Sequence, residues 1–184
     1  MSDITQKNKK FDLIIWGSTG YTGKLVCEYI LKNYKSTNLK WAVAGRNELK
    51  IKKLISILTL KDISYIIADS NDKNSLLEMT KMTKTVCSTV GPYAKYGTLL
   101  IEACIESKTN YCDITGETHW IRFIIDKYHT KAIKNKVKII NACGFDSIPS
   151  DLGVFYTQNK MKENTGKYAS KISMRVISMK GSVS

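Results

Sequence analysis

Phe11-Asp-Leu-Ile-Ile-Trp-Gly-Ser-Thr-Gly-Tyr-Thr-Gly23 is the stretch whose reading decides the fold. Leu13, Ile14, Ile15 and Trp16 form a short apolar run, the pattern of a strand covered on both faces. Gly17, Gly20 and Gly23 follow at three-residue spacing and read as a tight turn into the first turn of a helix. Each glycine has a distinct use in such a turn: a conformation closed to residues with a Cβ, close approach of backbone to a diphosphate, and close packing of helix on strand. Free N–H groups at the helix start then attract an anion. The spacing is G-x-x-G-x-x-G rather than the commoner G-x-G-x-x-G, and the alternative is a glycine-rich βα connection that holds no ligand.

Outward from this stretch the chain alternates strand and helix. Strands are expected at Phe11–Trp16, Leu39–Ala44, Ile63–Ala68, Thr85–Val90, Asn110–Ile114 and Val137–Ala142. Helices are expected at Lys24–Tyr34, Glu48–Leu58, Lys73–Met82, Tyr96–Ser107 and Thr118–Asn135. Repeated βα units of this length imply an α/β fold: a Rossmann-like, doubly wound parallel sheet with helices on both faces. Residues 1–10 are polar and read as a disordered tail, and 11–162 as the nucleotide-binding domain, ending in a helix from Ser150 to about Met161. In 163–184, Ile172, Met174 and Val176 alternate as in a strand over Ser170–Met179, which reads as the start of a truncated second domain. The alternative is a strand that pairs at one edge of the main sheet.

Composition narrows the function classes. A 43% hydrophobic content is enough for a core, and no run approaches the length of a membrane helix. Five cysteines, with no C-x-x-C spacing, suit reduced thiols inside a cell, in the cytoplasm, and give no metal site. The net charge of +13 comes from lysines scattered along the chain, with only Arg46, Arg122 and Arg175 as arginines, so no nucleic-acid partner is expected. His119 and His129 have no nucleophile or ligand set beside them. Tyr156-Thr-Gln-Asn-Lys160 matches the Tyr-x-x-x-Lys of short-chain dehydrogenases, but Cys143 stands where that pattern needs a serine, so the match is accidental.

The strand ends carry the chemistry, since ligands of open α/β sheets bind at their carboxyl edge. Ala44-Gly45-Arg46-Asn47 ends the second strand with no acidic residue for a ribose hydroxyl. The Arg46 guanidinium suits a 2′-phosphate, which favours NADP(H) over NAD; the alternative is an ordinary helix-leading surface residue. Asp69 either accepts from an adenine amino group or caps the next helix. Val90-Gly91-Pro92-Tyr93 makes a turn beside the expected nicotinamide ribose, with Tyr93 as pocket wall or loop aromatic. Asp113 and Glu117 are candidate acid–base carboxylates, Glu117 equally a residue that satisfies a helix dipole. Asp146 is a third catalytic candidate, Asp146 and Ser147 are candidates for substrate or nicotinamide contacts, and Ser150 is a candidate N-cap.

Gly-Ser-Thr-Gly-Tyr-Thr-Gly (17–23), Ala-Gly-Arg-Asn (44–47), Val-Gly-Pro-Tyr (90–93), Tyr-Cys-Asp-Ile-Thr-Gly-Glu (111–117) and Cys-Gly-Phe-Asp-Ser-Ile-Pro-Ser-Asp (143–151) together resemble the saccharopine-dehydrogenase-like oxidoreductases, a pattern shared with bacterial trans-acting enoyl reductases. The resemblance implies NADP(H), its diphosphate held by Gly17, Gly20 and Gly23 and its 2′-phosphate by Arg46; with the strand-end readings, the expected cofactor set is Gly17, Ser18, Thr19, Gly20, Tyr21, Thr22, Gly23, Arg46, Asn47, Asp69, Val90, Gly91 and Pro92. It also implies a lipid-related redox substrate, homodimer contacts through the second domain, and association with lipid droplets, mitochondria or membranes. Family members are about twice this length, so the chain reads as their N-terminal part. A non-enzymatic NADP(H)-binding or interaction module, or an inactive fragment, is the rival reading.

Overall fold

Residues alternate between two environments along the first strand, and that alternation assigns the helix layers. The computed structural model describes residues 8–60 and 62–178. The chain divides into two compact units, Met1–Cys143 and Gly144–Ser184. In the first, β1 (Phe11–Trp16) leads to α1 (Tyr21–Tyr34), β2 (Trp41–Gly45), α2 (Glu48–Ile57) and β3 (Ser64–Ile67). Then follow α3 (Lys73–Lys81), β4 (Thr83–Ser88), α4 (Tyr93–Tyr96), α5 (Thr98–Glu106), β5 (Asn110–Asp113), α6 (Thr118–Asn135) and β6 (Ile139–Ile140). The second unit contains α7 (Ile148–Thr165).

The strands form one parallel sheet in the order β3-β2-β1-β4-β5-β6. The order reverses between β1 and β4, which places a topological switch point at the carboxyl ends of these two strands. Ile15 and Val43 face one side and pack with Cys27 and Ile30 of α1 and Ile51 and Leu54 of α2. Ile14, Trp16, Ala44 and Val86 face the other and pack with α3, α5 and α6 through Leu76, Met79, Leu100, Ile101, Trp120 and Ile124. This is the doubly wound architecture expected from the alternating pattern.

Several local expectations change. The helix expected over Tyr96–Ser107 is α5, starting at Thr98, and a short α4 precedes it; the two join at Gly97, against which the Trp120 ring lies. Asp72, not Asp69, caps α3, accepting from Asn74 N at 2.9 Å; Asp69 instead closes its own turn onto Asn71 N. The strand expected to Ala142 ends at Ile140, because the next backbone N–H groups turn to Asp113: Ala142 to the carboxylate at 3.0 Å and Cys143 to the carbonyl at 2.7 Å.

The second unit breaks 19 residues before the boundary expected at 162/163, and α7 has no buried residue. Residues 171–178 carry no strand, since no neighbour among the described residues pairs with them; the rest of the strand expected to Met179 lies outside the described residues.

The tail expected to be disordered through residue 10 is fixed at its end. Lys9 Nζ donates to the carbonyls of Thr80, Ser107 (2.9 Å) and Lys108 and to Thr109 Oγ1, at the C-terminal ends of α3 and α5. An ammonium there satisfies orphan carbonyls and opposes the negative ends of two helix dipoles. Lys9→Met keeps the stem and removes the donor; it is expected to lower stability by about 1–3 kcal/mol, read as a lower urea midpoint with unchanged slope.

Candidate functional site

The turn after β1 is built by contacts that admit no side chain at two positions. Gly17 has φ +85°, and a Cβ there would lie 2.5 Å from Val90 Cγ2 and 2.9 Å from Thr89 Oγ1. Thr89 locks this turn to the end of β4, its hydroxyl donating to the carbonyls of Trp16 (3.1 Å) and Gly17 (3.2 Å). A Cβ on Gly23 would stand 2.2 Å from Gly17 O, so α1 starts as close to the turn as backbone allows.

That packing aims the α1 N-terminus at the switch point. The N-cap is Gly20, with no side-chain cap and no acidic residue in the first turn. The first helical bond, Lys24 N to Gly20 O, leaves the N–H groups of Tyr21, Thr22 and Gly23 ahead of it at the positive end of the dipole. A cavity of about 260 Å³ lies here. Trp16, Gly17, Thr19 and Gly20 form one wall, Gly45 and Arg46 the second, and Thr89, Val90, Gly91 and Tyr96 the third. Arg46 is exposed and enters no ion pair among the described residues, and no carboxylate lines the cavity. An uncapped helix N-terminus, a side-chain-free turn and a free guanidinium in one cavity fit a phosphorylated dinucleotide. A larger cavity, about 1030 Å³, opens at the opposite edge of the sheet, around Lys10, Phe11, Trp41 and Leu60, away from the switch point.

Not every residue expected at the cofactor faces this cavity. Ser18 is fully buried, with its hydroxyl donating to Ala44 O at 3.2 Å. Tyr21 is exposed, and Thr22 lies in the first turn of α1. Asn47 caps α2, its Oδ1 accepting from Lys50 N at 3.0 Å. Asp69 and Pro92 are not among the lining residues. Tyr93 is buried, its hydroxyl donating to Ser88 O and its ring against Trp120, and burial pushes its phenol pKa up. Tyr96, one helical turn on, is the aromatic of the cavity wall. Only its spacing from Tyr93 hinted at this.

The paired carboxylates are committed to hydrogen bonds. Asp113 is buried and accepts from Tyr111 Oη (2.8 Å), Thr115 N (3.1 Å), Asn141 Nδ2 (2.7 Å) and Ala142 N (3.0 Å). Burial and the Asp113 charge push the Tyr111 pKa well above its ordinary value. Glu117 grips the start of α4 with both oxygens, accepting from Tyr93 N (2.6 Å) and Ala94 N (2.9 Å). Asp146 lies exposed in the second unit. His119 and His129 are exposed, and no metal-binding group forms among the described residues.

Fold and cavity together define a Rossmann-type dinucleotide-binding domain. The chain matches the saccharopine dehydrogenase NADP binding domain over residues 13–140, and it belongs to that family. It is 39% identical over 170 residues to a saccharopine dehydrogenase-like oxidoreductase of Bos taurus, covering 86% of this chain and 40% of that one. It is 40% identical over 161 residues to a lipid droplet localized protein of Caenorhabditis elegans (84% and 37% covered) and 35% over 163 to a trans-acting enoyl reductase of Mycobacterium leprae (88% and 38%). The chain therefore spans about 40% of the length of these curated relatives. Its fold superposes on apo saccharopine dehydrogenase of Saccharomyces cerevisiae with TM-score 0.68 at 18% identity, over 83% of this chain and 32% of that one. It is an NADP(H)-binding domain of the saccharopine dehydrogenase-like oxidoreductases.

Two substitutions test this construction. Asp113→Asn turns an amide toward groups that all donate, so a stability loss of about 2–3 kcal/mol is expected in chemical denaturation. Gly23→Ala drives a methyl into Gly17 O; it is expected to lower the melting temperature and weaken NADPH binding together, because the turn must open.

Proposed function

We propose that this domain holds NADPH in the cavity around the α1 N-terminus. The turn Gly17–Gly23 takes the diphosphate, and Thr19, Val90 and Gly91 line its path. Arg46 binds the 2′-phosphate. The observation that carries this reading is the meeting of an uncapped helix N-terminus and an unpaired Arg46 in one cavity that contains no carboxylate. The chemistry of bound NADPH is hydride donation. The chain's own part is to orient it, exclude carboxylates that would repel its phosphates, and keep the loop after β4 fixed.

Within that reading Asp113 and Glu117 are positioning residues. Their oxygens hold the loops after β5 and β4 in place, and neither has the free geometry of a proton donor. Exposed Asp146, in the second unit, is kept as a candidate substrate contact of the whole protein. The names borne by the worm and mycobacterial relatives support a lipid-related, enoyl-type substrate for the whole protein and an association with lipid droplets. Dimer contacts are assigned outside residues 13–140. No helix among the described residues is long and apolar enough to cross a membrane.

Titration of the 184-residue chain with NADPH and NADH, beside Arg46→Ala, tests the proposal. Loss of charge-assisted bonds to the 2′-phosphate is expected to weaken NADPH by about 10- to 100-fold and to leave NADH unchanged. Equal affinity for the two nucleotides in the unsubstituted chain would remove Arg46 from the site. Binding of neither would overturn the reading of the cavity.

A further inference from the structure

Cys87 on β4 and Cys112 on β5 are partners in the parallel ladder. Adjacent strands run about 4.8 Å apart, inside the Cα separation of roughly 4.4–6.8 Å that a disulfide spans. Partners in register project to the same face, which sets the two thiols side by side. Their strand neighbours Val86, Ser88, Tyr111 and Asp113 point to the opposite face and are buried. Cys87 and Cys112 are only half-buried. On their face Cys27 and the rest of the α1–α2 cluster reach as far as Cys87, whereas Asn110 is half-buried and Ile140 is 55% exposed. A small solute therefore has access to the pair.

We propose that Cys87 and Cys112 form a redox modification site, which a hydroperoxide closes to a disulfide joining β4 to β5. The Cys87 thiolate attacks the terminal peroxide oxygen; the O–O bond breaks, giving a sulfenic acid and releasing water or an alcohol. The Cys112 sulfur then attacks the Cys87 sulfur, the S–S bond forms, and the sulfenic oxygen leaves as water. Two thiols lose two electrons and two protons, and the peroxide takes up both. The Cys112 thiol beside it lowers the Cys87 pKa, which favours Cys87 as the attacking sulfur. Cys27 and Cys104 are fully buried, with pKa values pushed up by burial, Cys27 to about 12. The new bond would tie β4 to β5 two residues before Thr89 and one before Asp113, the residues that pin the glycine turn and the β5–β6 loops. The inference rests on the sheet register and not on the cofactor.

Each cysteine falls in its own tryptic peptide, so mass spectrometry reads the outcome directly. The purified 184-residue chain is treated with hydrogen peroxide, blocked with iodoacetamide and digested. Expected is a species joining peptides 85–95 and 109–122 with loss of two hydrogens, absent after dithiothreitol. Label is lost at both positions together, and Cys104 stays reduced. With Cys112→Ser, Cys87 is expected to accumulate as a sulfenic acid that dimedone traps. Full iodoacetamide labelling of both cysteines after peroxide would overturn the proposal. So would linkage of peptide 85–95 to peptide 139–160, which carries Cys143.

Discussion

The contact between Gly23 and the carbonyl of Gly17 is the constraint on which the rest of the site depends. With 2.2 Å between a hypothetical Cβ and that oxygen, only glycine lets α1 begin against the turn. From this one approach follow the direction of the helix dipole, the exposure of the first-turn N–H groups and the position of the cavity. Ser18 shows the same economy of space. Its backbone N–H and hydroxyl both turn inward to Ala44 O, which ties the turn to β2 rather than to a ligand. The turn is thus anchored on both sides, to β2 through Ser18 and to β4 through Thr89, before any ligand arrives.

A second set of bonds orders the opposite half of the carboxyl edge. Asp113 gathers four donors from three segments, and Glu117 collects two N–H groups from the start of α4. A buried carboxylate is tolerated only when its lone pairs are filled, and here the filling does structural work. It ends β6 early and fixes the start of α4, close after the Gly91 that lines the cavity. Carboxylates at the carboxyl edge of an α/β sheet invite an acid–base reading, but their hydrogen-bond partners decide whether they remain available for it.

The contrast between what was legible and what was not follows sequence separation. The glycine turn, the apolar first strand and the arginine after β2 are local, and each carries its physical reason within a few residues. The fold class follows from the same local periodicities repeated. The roles of Tyr93 and Tyr96 were not legible, because the choice between burial and exposure depends on Trp120, more than twenty residues away. Glu117 poses the same difficulty, since its partners at Tyr93 and Ala94 precede it by 24 and 23 residues. The Tyr-x-x-x-Lys match at 156–160 illustrates the converse: a local pattern with no site around it.

The sheet is unequally covered, and this asymmetry accounts for features that otherwise look unrelated. Around β1 and β2, residues on both faces are fully buried: Ile14 and Ala42 on one side, Ile15 and Val43 on the other. At β5 only one face retains that burial, and at β6 neither does. Tyr111 is buried while its neighbour Cys112 is half-buried, and β6 shrinks to two residues with Ile140 in solvent. A parallel strand gains much of its stability from apolar cover on both faces, so a strand covered on one side alone has less to hold it and is correspondingly short. The same opening that shortens β6 exposes the thiol pair. Cofactor cavity and thiols therefore meet at the boundary between a sandwiched half of the sheet and a half-covered one, where β4 serves both.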